Sequence, residues 1–181
     1  MPDCGLICER CGLNEMLPLR EADFGILLSE GKVKMPCPKC AEPTVWKLVI
    51  PPRPEPAPKS TQHRRRVLLI DDDADTLHIL QLMLVPHQYS VVTADSANRA
   101  IELLQTEDFE VIVSDICMPG FDGRSLFRFL ALFLPDYVSR VVFLTGDHSD
   151  KTVKFLRESN CPYSFKPIHI PELQEKIQLI P

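Results

Sequence analysis

From Val67 to the C-terminus, short apolar runs alternate with longer stretches in which apolar residues recur three or four positions apart. The runs at 67–70, 90–93, 111–114, 140–144 and 162–165 are short and mostly rich in β-branched or aromatic residues, as strands are. Between and after them, 75–85, 97–106, 124–134, 149–158 and 171–179 carry the helical pattern. Ile101, Leu103 and Leu104 fall on one face, as do Leu126, Phe127 and Leu130. Five strands alternating with five helices in about 115 residues predict an α/β fold, a parallel sheet covered by helices on both faces.

Before Val67 the pattern breaks. Between Ile50 and Val67 prolines stand at 51, 52, 54, 56 and 58, followed by Arg64, Arg65 and Arg66. Proline fixes φ and removes a backbone donor, so this stretch reads as a semi-rigid spacer. Three regions follow: a small N-terminal unit at 1–50, a proline-rich linker at 51–66 and the α/β domain at 67–181. The arginine run reads as a solvated flank of the last.

Charge separates the same regions. Residues 1–50 carry six basic and seven acidic groups (net −1), 51–66 five and one (+4), and 67–181 nine and seventeen (−8). That balance lacks the basic face of a nucleic-acid footprint and favours protein partners. No apolar run approaches the ~20 residues of a membrane span. The start, Met1-Pro2-Asp3-Cys4, shows neither a basic nor an apolar segment of a secretory signal, so a cytoplasmic location is expected.

In parallel α/β folds the loops at the carboxyl ends of the strands carry the chemistry. Here strand one runs into Asp71-Asp72-Asp73, strand three into Asp115 and strand four into Thr145, while Lys166-Pro167 follows strand five. Gathering Asp71, Asp72 and Asp115 costs roughly 1–4 kcal/mol per pair at 4 Å, depending on the local dielectric. A cation is therefore required, and Mg²⁺ suits a hard set of few carboxylates. Asp73 and Asp75 read instead as acids stabilised at a helix N-terminus.

The segments Val67-Leu68-Leu69-Ile70-Asp71-Asp72-Asp73, Val111-Ile112-Val113-Ser114-Asp115-Ile116-Cys117-Met118-Pro119-Gly120-Phe121-Asp122-Gly123, Val142-Phe143-Leu144-Thr145-Gly146 and Ser164-Phe165-Lys166-Pro167 together resemble the response-regulator receiver family over 67–181. The resemblance implies a five-stranded, doubly wound, flavodoxin-like receiver that catalyses only its own phosphorylation and dephosphorylation. It implies Asp115 as phosphoacceptor from a sensor histidine kinase or phosphotransfer protein. Mg²⁺ would be held by Asp72, Asp115 and the Cys117 backbone carbonyl, with Asp71 beside it. Thr145 and Lys166 would stabilise the transferring phosphoryl group, and Thr145 with Tyr163 would form a switch that changes a protein-docking face or drives homodimerisation. Gly146 would leave the phosphoryl group accessible, with Cys117 and Asp147 flanking the path of an attacking water. Cys117 itself is expected to be partly buried and inert. The rival enzymatic reading is a haloacid-dehalogenase-like phosphatase, whose fifth motif position Asp75 does not match.

Five of seven cysteines lie in the first 40 residues. Cys8-Glu9-Arg10-Cys11-Gly12 and Cys37-Pro38-Lys39-Cys40-Ala41 are two CxxC turns that can bring four thiolates around Zn²⁺. They resemble a zinc ribbon; a disulfide pair, free thiols or iron are the alternatives. Cys4 is a spare, and Trp46 and Phe24 read as ribbon core. A second binding reading makes the ribbon a DNA contact in a transcriptional regulator under receiver control, so nucleic acid stays open as a partner. With the pattern ending at the fifth helix, output is expected through the ribbon, the receiver surface, or both.

Overall fold

The computed structural model describes residues 3–18, 21–49 and 64–181. The chain divides into two units, Met1–Pro52 and Arg53–Pro181. Most of the expected proline-rich linker lies outside the described residues, as do the side chains of Cys4 and Phe24.

In the first unit, β1 (Asp3–Cys8), β2 (Asn14–Pro18), β3 (Lys32–Pro36) and β4 (Pro43–Leu48) form an antiparallel sheet in the order β2-β1-β4-β3. Helix α1 (Glu21–Glu30) connects β2 to β3. Alternation along β4 buries Thr44 and Trp46 and leaves Pro43 and Lys47 outside. Trp46 is fully buried with Leu6, Leu27 and Val33, and its indole N–H donates to the Met35 carbonyl at 3.2 Å. This agrees with the core position expected of Trp46.

The second unit is a five-stranded parallel sheet: β5 (Arg65–Ile70), β6 (Tyr89–Ala94), β7 (Val111–Asp115), β8 (Val141–Thr145) and β9 (Tyr163–Phe165). Its order is β6-β5-β7-β8-β9. The helices are α2 (Ala74–Leu84), α3 (Ala97–Thr106), α4 (Gly123–Phe133), α5 (Asp150–Ser159) and α6 (Ile170–Gln178). Every expected strand and helix is present, with ends shifted by two residues or fewer. Two 3₁₀ turns, Val85–His87 and Pro135–Arg140, were not expected from the pattern.

The central strands are buried on both faces, which explains their uninterrupted apolar runs. Val67, Leu69, Val111, Val113, Val142 and Leu144 pack with Leu77, Leu80 and Leu84 of α2 and with Leu173 and Ile177 of α6. The opposite face sets Ile112, Ser114 and Phe143 against Leu126, Phe127 and Leu130 of α4. Each such aliphatic side chain contributes about 1.5–3 kcal/mol on burial. Side-chain caps start four of the helices: Asp73 for α2, Ser96 for α3, Asp122 for α4 and Ser149 for α5. Asp73 and Asp75 thus have the helix-start positions expected of them.

The arginine run departs from expectation. β5 starts at Arg65, so Arg65 and Arg66 belong to the sheet and are not a solvated flank. Arg66 lies over the Phe109 ring at 5.1 Å and pairs with Glu107. Arg65 donates to the Ile177 and Ile180 carbonyls at 3.2 and 3.0 Å, closing the C-terminal end of α6. Long arginine stems cover apolar surface while the guanidinium finds acceptors, so a charge run need not be solvated.

Candidate functional site

The chain leaves β5 toward β6 on one side and later returns to β7 on the other. A crevice is therefore expected between the carboxyl ends of β5 and β7. Asp71 follows β5 directly and Asp115 is the last residue of β7. Their exposures are 2% and 5%. Lys166, just after β9, reaches across: its ammonium donates to Asp71 Oδ2 at 2.7 Å and to Asp115 Oδ2 at 2.9 Å. Asp72 is exposed, and its carboxylate lies with those of Asp71 and Asp115 in a group spanning at most 4.8 Å. Asp71 and Lys166 stand 95 positions apart and are brought together by sheet order.

Backbone amides hold the acids in place. The Asp73 N–H donates to Asp71 Oδ1 at 3.0 Å, and the Cys117 N–H to Asp115 Oδ1 at 3.2 Å. Burial pushes the Asp71 carboxyl above its ordinary range, outweighing the Lys166 hydrogen bond and the Asp73 amide that pull it down. Burial also opposes the charge on Lys166, but its bonds to Asp71 and Asp115 prevail and raise its pKa. Two buried carboxylates and one exposed one, with a single ammonium, leave an oxygen-lined acidic group. Its hard donors suit Mg²⁺.

Gly123, the first residue of α4, explains how the loop after Asp115 closes. A Cβ on it would stand 2.2 Å from the Asp115 carbonyl oxygen and 2.9 Å from Ile116 Cα. The Gly123 N–H donates to the Ile116 carbonyl at 3.0 Å. The helix start therefore rests directly on the backbone of Asp115.

Thr145 ends β8 and is fully buried. Its hydroxyl oxygen accepts from the Asp147 N–H at 3.0 Å and lies 3.7 Å from Cys117 Sγ. Cys117 is exposed, contrary to the partial burial expected of it. Tyr163 is half-buried on β9 and meets Phe165 edge-on at 5.7 Å, while Phe165 stacks on His148 at 4.3 Å. Of the residues singled out from sequence, Asp71, Asp72, Asp115 and Lys166 are brought together. Thr145 and Cys117 border them, and Tyr163 stands on the edge strand. Sequence reasoning missed Arg124 and Thr152, which tie α4 to the loop carrying Asp147.

The first unit holds the second cluster. Cys8, Cys11, Cys37 and Cys40 place their sulfurs within 4.8 Å of one another. The Cys8–Cys40 and Cys11–Cys37 separations are 4.0 and 3.7 Å. A disulfide requires about 2.05 Å, whereas a tetrahedron with metal–sulfur bonds of ~2.3 Å has edges of about 3.8 Å. Both turns close alike: the Gly12 N–H donates to the Cys8 carbonyl and the Ala41 N–H to the Cys37 carbonyl, each at 2.9 Å. Gly12 and Ala41 take left-handed φ of 72° and 57°. The Thr44 hydroxyl, 3.3 Å from Cys8, lowers that thiol to about 6, while burial and the neighbouring thiols push Cys40 up to about 12. Four sulfurs gathered this closely suit a soft divalent cation.

The family model of the response regulator receiver domain matches residues 67–178. Two-component response regulator ARR10 of Arabidopsis thaliana is 36% identical over 113 residues, 60% of this chain and 20% of that protein. Two-component response regulator ORR21 of Oryza sativa subsp. indica is 34% identical over 112 residues, 60% and 16% respectively. The match spans a fifth or less of the length of these relatives. A signal receiver domain of an HD domain-containing protein from Pseudomonas fluorescens is 26% identical with a TM-score of 0.59, covering 65% of this chain and 94% of that one. The Vibrio cholerae chemotaxis protein CheY4 shares the fold at 23% identity and a TM-score of 0.58, covering 66% and 100%. Among the described residues, no helix is long and apolar enough to cross a membrane.

Proposed function

Because the chain belongs to the response regulator receiver family, we propose that Asp115 is its phosphoacceptor, taking the phosphoryl group from the phosphohistidine of a sensor histidine kinase or phosphotransfer protein. The observation that carries this reading is the Lys166 ammonium bridging Asp71 and Asp115 at 2.7 and 2.9 Å across the sheet's carboxyl edge. An Asp115 carboxylate oxygen bonds to phosphorus as the phosphorus–nitrogen bond of the donor breaks, and the leaving imidazole takes a proton from solvent. The product is an acyl phosphate. Lys166 follows the charge onto the phosphoryl oxygens, and the Cys117 amide fixes the carboxylate.

Asp71, Asp72, Asp115 and the Cys117 carbonyl are proposed to hold Mg²⁺, which when bound neutralises charge on the phosphoryl oxygens. The Thr145 hydroxyl is the proposed sensor of phosphorylation, with Tyr163 responding on the edge strand and altering a protein-docking face. In the first unit, Cys8, Cys11, Cys37 and Cys40 are the proposed ligands of one structural Zn²⁺. The phosphatase reading is not favoured, since its motif counted from Asp71 calls for threonine or valine at the fifth position, where Asp75 stands.

The test is intact-mass spectrometry of the full chain after incubation with a small phosphodonor and Mg²⁺. Wild type gains one phosphoryl group and Asp115→Asn gains none; an unmodified wild type, or equal gain in both, overturns the assignment.

A further inference from the structure

Resting on the reading of Asp115 as phosphoacceptor, we propose that Arg124, Thr152 and Asp147 form a strut that holds the loop after β8 in its phosphoryl-free arrangement, and so opposes phosphorylation. Arg124 stands in the first turn of α4, whose start is fixed to the Asp115 backbone by the close approach of Gly123. One guanidinium nitrogen donates to the Thr152 hydroxyl, and that hydroxyl donates onward to Asp147 Oδ2. The same guanidinium nitrogen lies 3.8 Å from Asp147 Oδ2. Asp147 also accepts from the Ser149 N–H and hydroxyl at 2.8 and 2.9 Å, which ties it to the cap of α5. Its own backbone N–H donates to the Thr145 hydroxyl oxygen at 3.0 Å.

A continuous path therefore runs from the acceptor's helix, through a fully buried threonine, to the hydroxyl that would sense the phosphoryl group. Its charged ends are sheltered, with side-chain exposures of 18% for Arg124 and 35% for Asp147. For the Thr145 hydroxyl to move toward Asp115, the Asp147 backbone must give way, and the strut resists that. The arrangement also has a defect: the Arg124 Nε–H is buried without an acceptor, a cost that a shifted loop can relieve. A two-state loop with one state braced is the element a phosphorylation switch biases. These are positioning residues; none touches the acceptor carboxylate.

If the phosphoryl-free state is braced, the apparent affinity of the protein for a phosphoryl mimic is reduced by the low population of the competent state, and loosening the brace restores it. The experiment measures beryllofluoride affinity, with Mg²⁺, of the full chain carrying Arg124→Gln, Thr152→Val or Thr152→Ser, with Asp115→Asn as a control. It also measures hydrogen exchange of the Asp147 amide in the metal-free protein. Arg124→Gln and the near-isosteric Thr152→Val are expected to bind about threefold to tenfold more tightly, the range the net contribution of one ordinary hydrogen bond supplies. Their Asp147 amides should exchange faster by a similar factor. Thr152→Ser keeps the relay hydroxyl and should match wild type in both. Joining Arg124→Gln to Thr152→Val should add little to either. Asp115-dependent binding with unchanged or weakened affinity in both loosened variants overturns the strut and leaves the acceptor assignment standing. Binding that is absent, or indifferent to Asp115→Asn, overturns both.

Discussion

Gly123→Ala sets two effects of opposite sign against each other. Gly123 is the first residue of α4 and its φ is not left-handed, so helix propensity and chain entropy alone predict stabilisation by about 0.4–1 kcal/mol. The added Cβ, however, would meet the Asp115 carbonyl oxygen at 2.2 Å and Ile116 Cα at 2.9 Å. Ordinary contact is nearer 3.4 Å, so the first approach is about 1.2 Å too close, and both obstacles are backbone that no rotamer change removes. Overpacking of this kind costs about 1–3 kcal/mol or more, and the severity here argues for the upper end. The net expectation is destabilisation by about 2 kcal/mol, which lowers a urea midpoint by about 1 M. The single tryptophan lies in the other unit, so the transition is followed by far-UV circular dichroism. Because the displaced atoms carry Asp115, phosphoryl uptake should fall as well. An unchanged or raised midpoint would refute the close-approach reasoning.

Lys166→Met removes both bonds of the bridging ammonium and should slow phosphorylation from a small donor by about 10²–10³-fold; a rate within threefold of wild type would contradict its role. Metal analysis of purified protein should give one equivalent of zinc. A structural site of this kind supplies about 10–16 kcal/mol, so chelation should unfold the first unit and red-shift the buried Trp46 emission; an unmoved spectrum would remove zinc from the account. The Thr152 hydroxyl bond and those from Ser149 depress the Asp147 carboxyl to about 2. A depressed folded-state pKa stabilises fully above the unfolded value of 3.8, and that contribution is lost as pH falls from 3.8 toward 2. A carbon-13 carboxyl titration should find the low midpoint in wild type and an upward shift in Thr152→Val; a wild-type midpoint at 3.8 would dismiss the bonds.

The receiver sheet was legible because its central strands are buried on both faces. Val67, Leu68, Leu69 and Ile70 could hardly be a loop, and the first, third and fourth runs led into Asp71, Asp115 and Thr145, polar residues that burial alone would not select. Asp71, Asp115 and Lys166 could be grouped from strand ends because parallel sheets bring those ends to one edge. Other features depend on partners distant in sequence. Nothing local in Arg65-Arg66 announces Phe109 or the end of α6, and a run of arginines is ordinarily solvated. Arg124 meets Thr152 across 28 residues, through a helix start and a loop whose register only the folded sheet sets. The two CxxC turns revealed the thiol cluster, but not the four-stranded order around it, because β1 pairs with β4 across the whole unit.

The most direct test of Asp115 is chemical location of the acyl phosphate. The phosphorylated chain is treated with borohydride, which reduces an aspartyl phosphate to homoserine, and its peptides are then sequenced by mass. The account predicts homoserine at position 115, dependent on the phosphodonor and on Mg²⁺. Homoserine at Asp71 or Asp72, or at no aspartate in a protein that had gained phosphate, would contradict it.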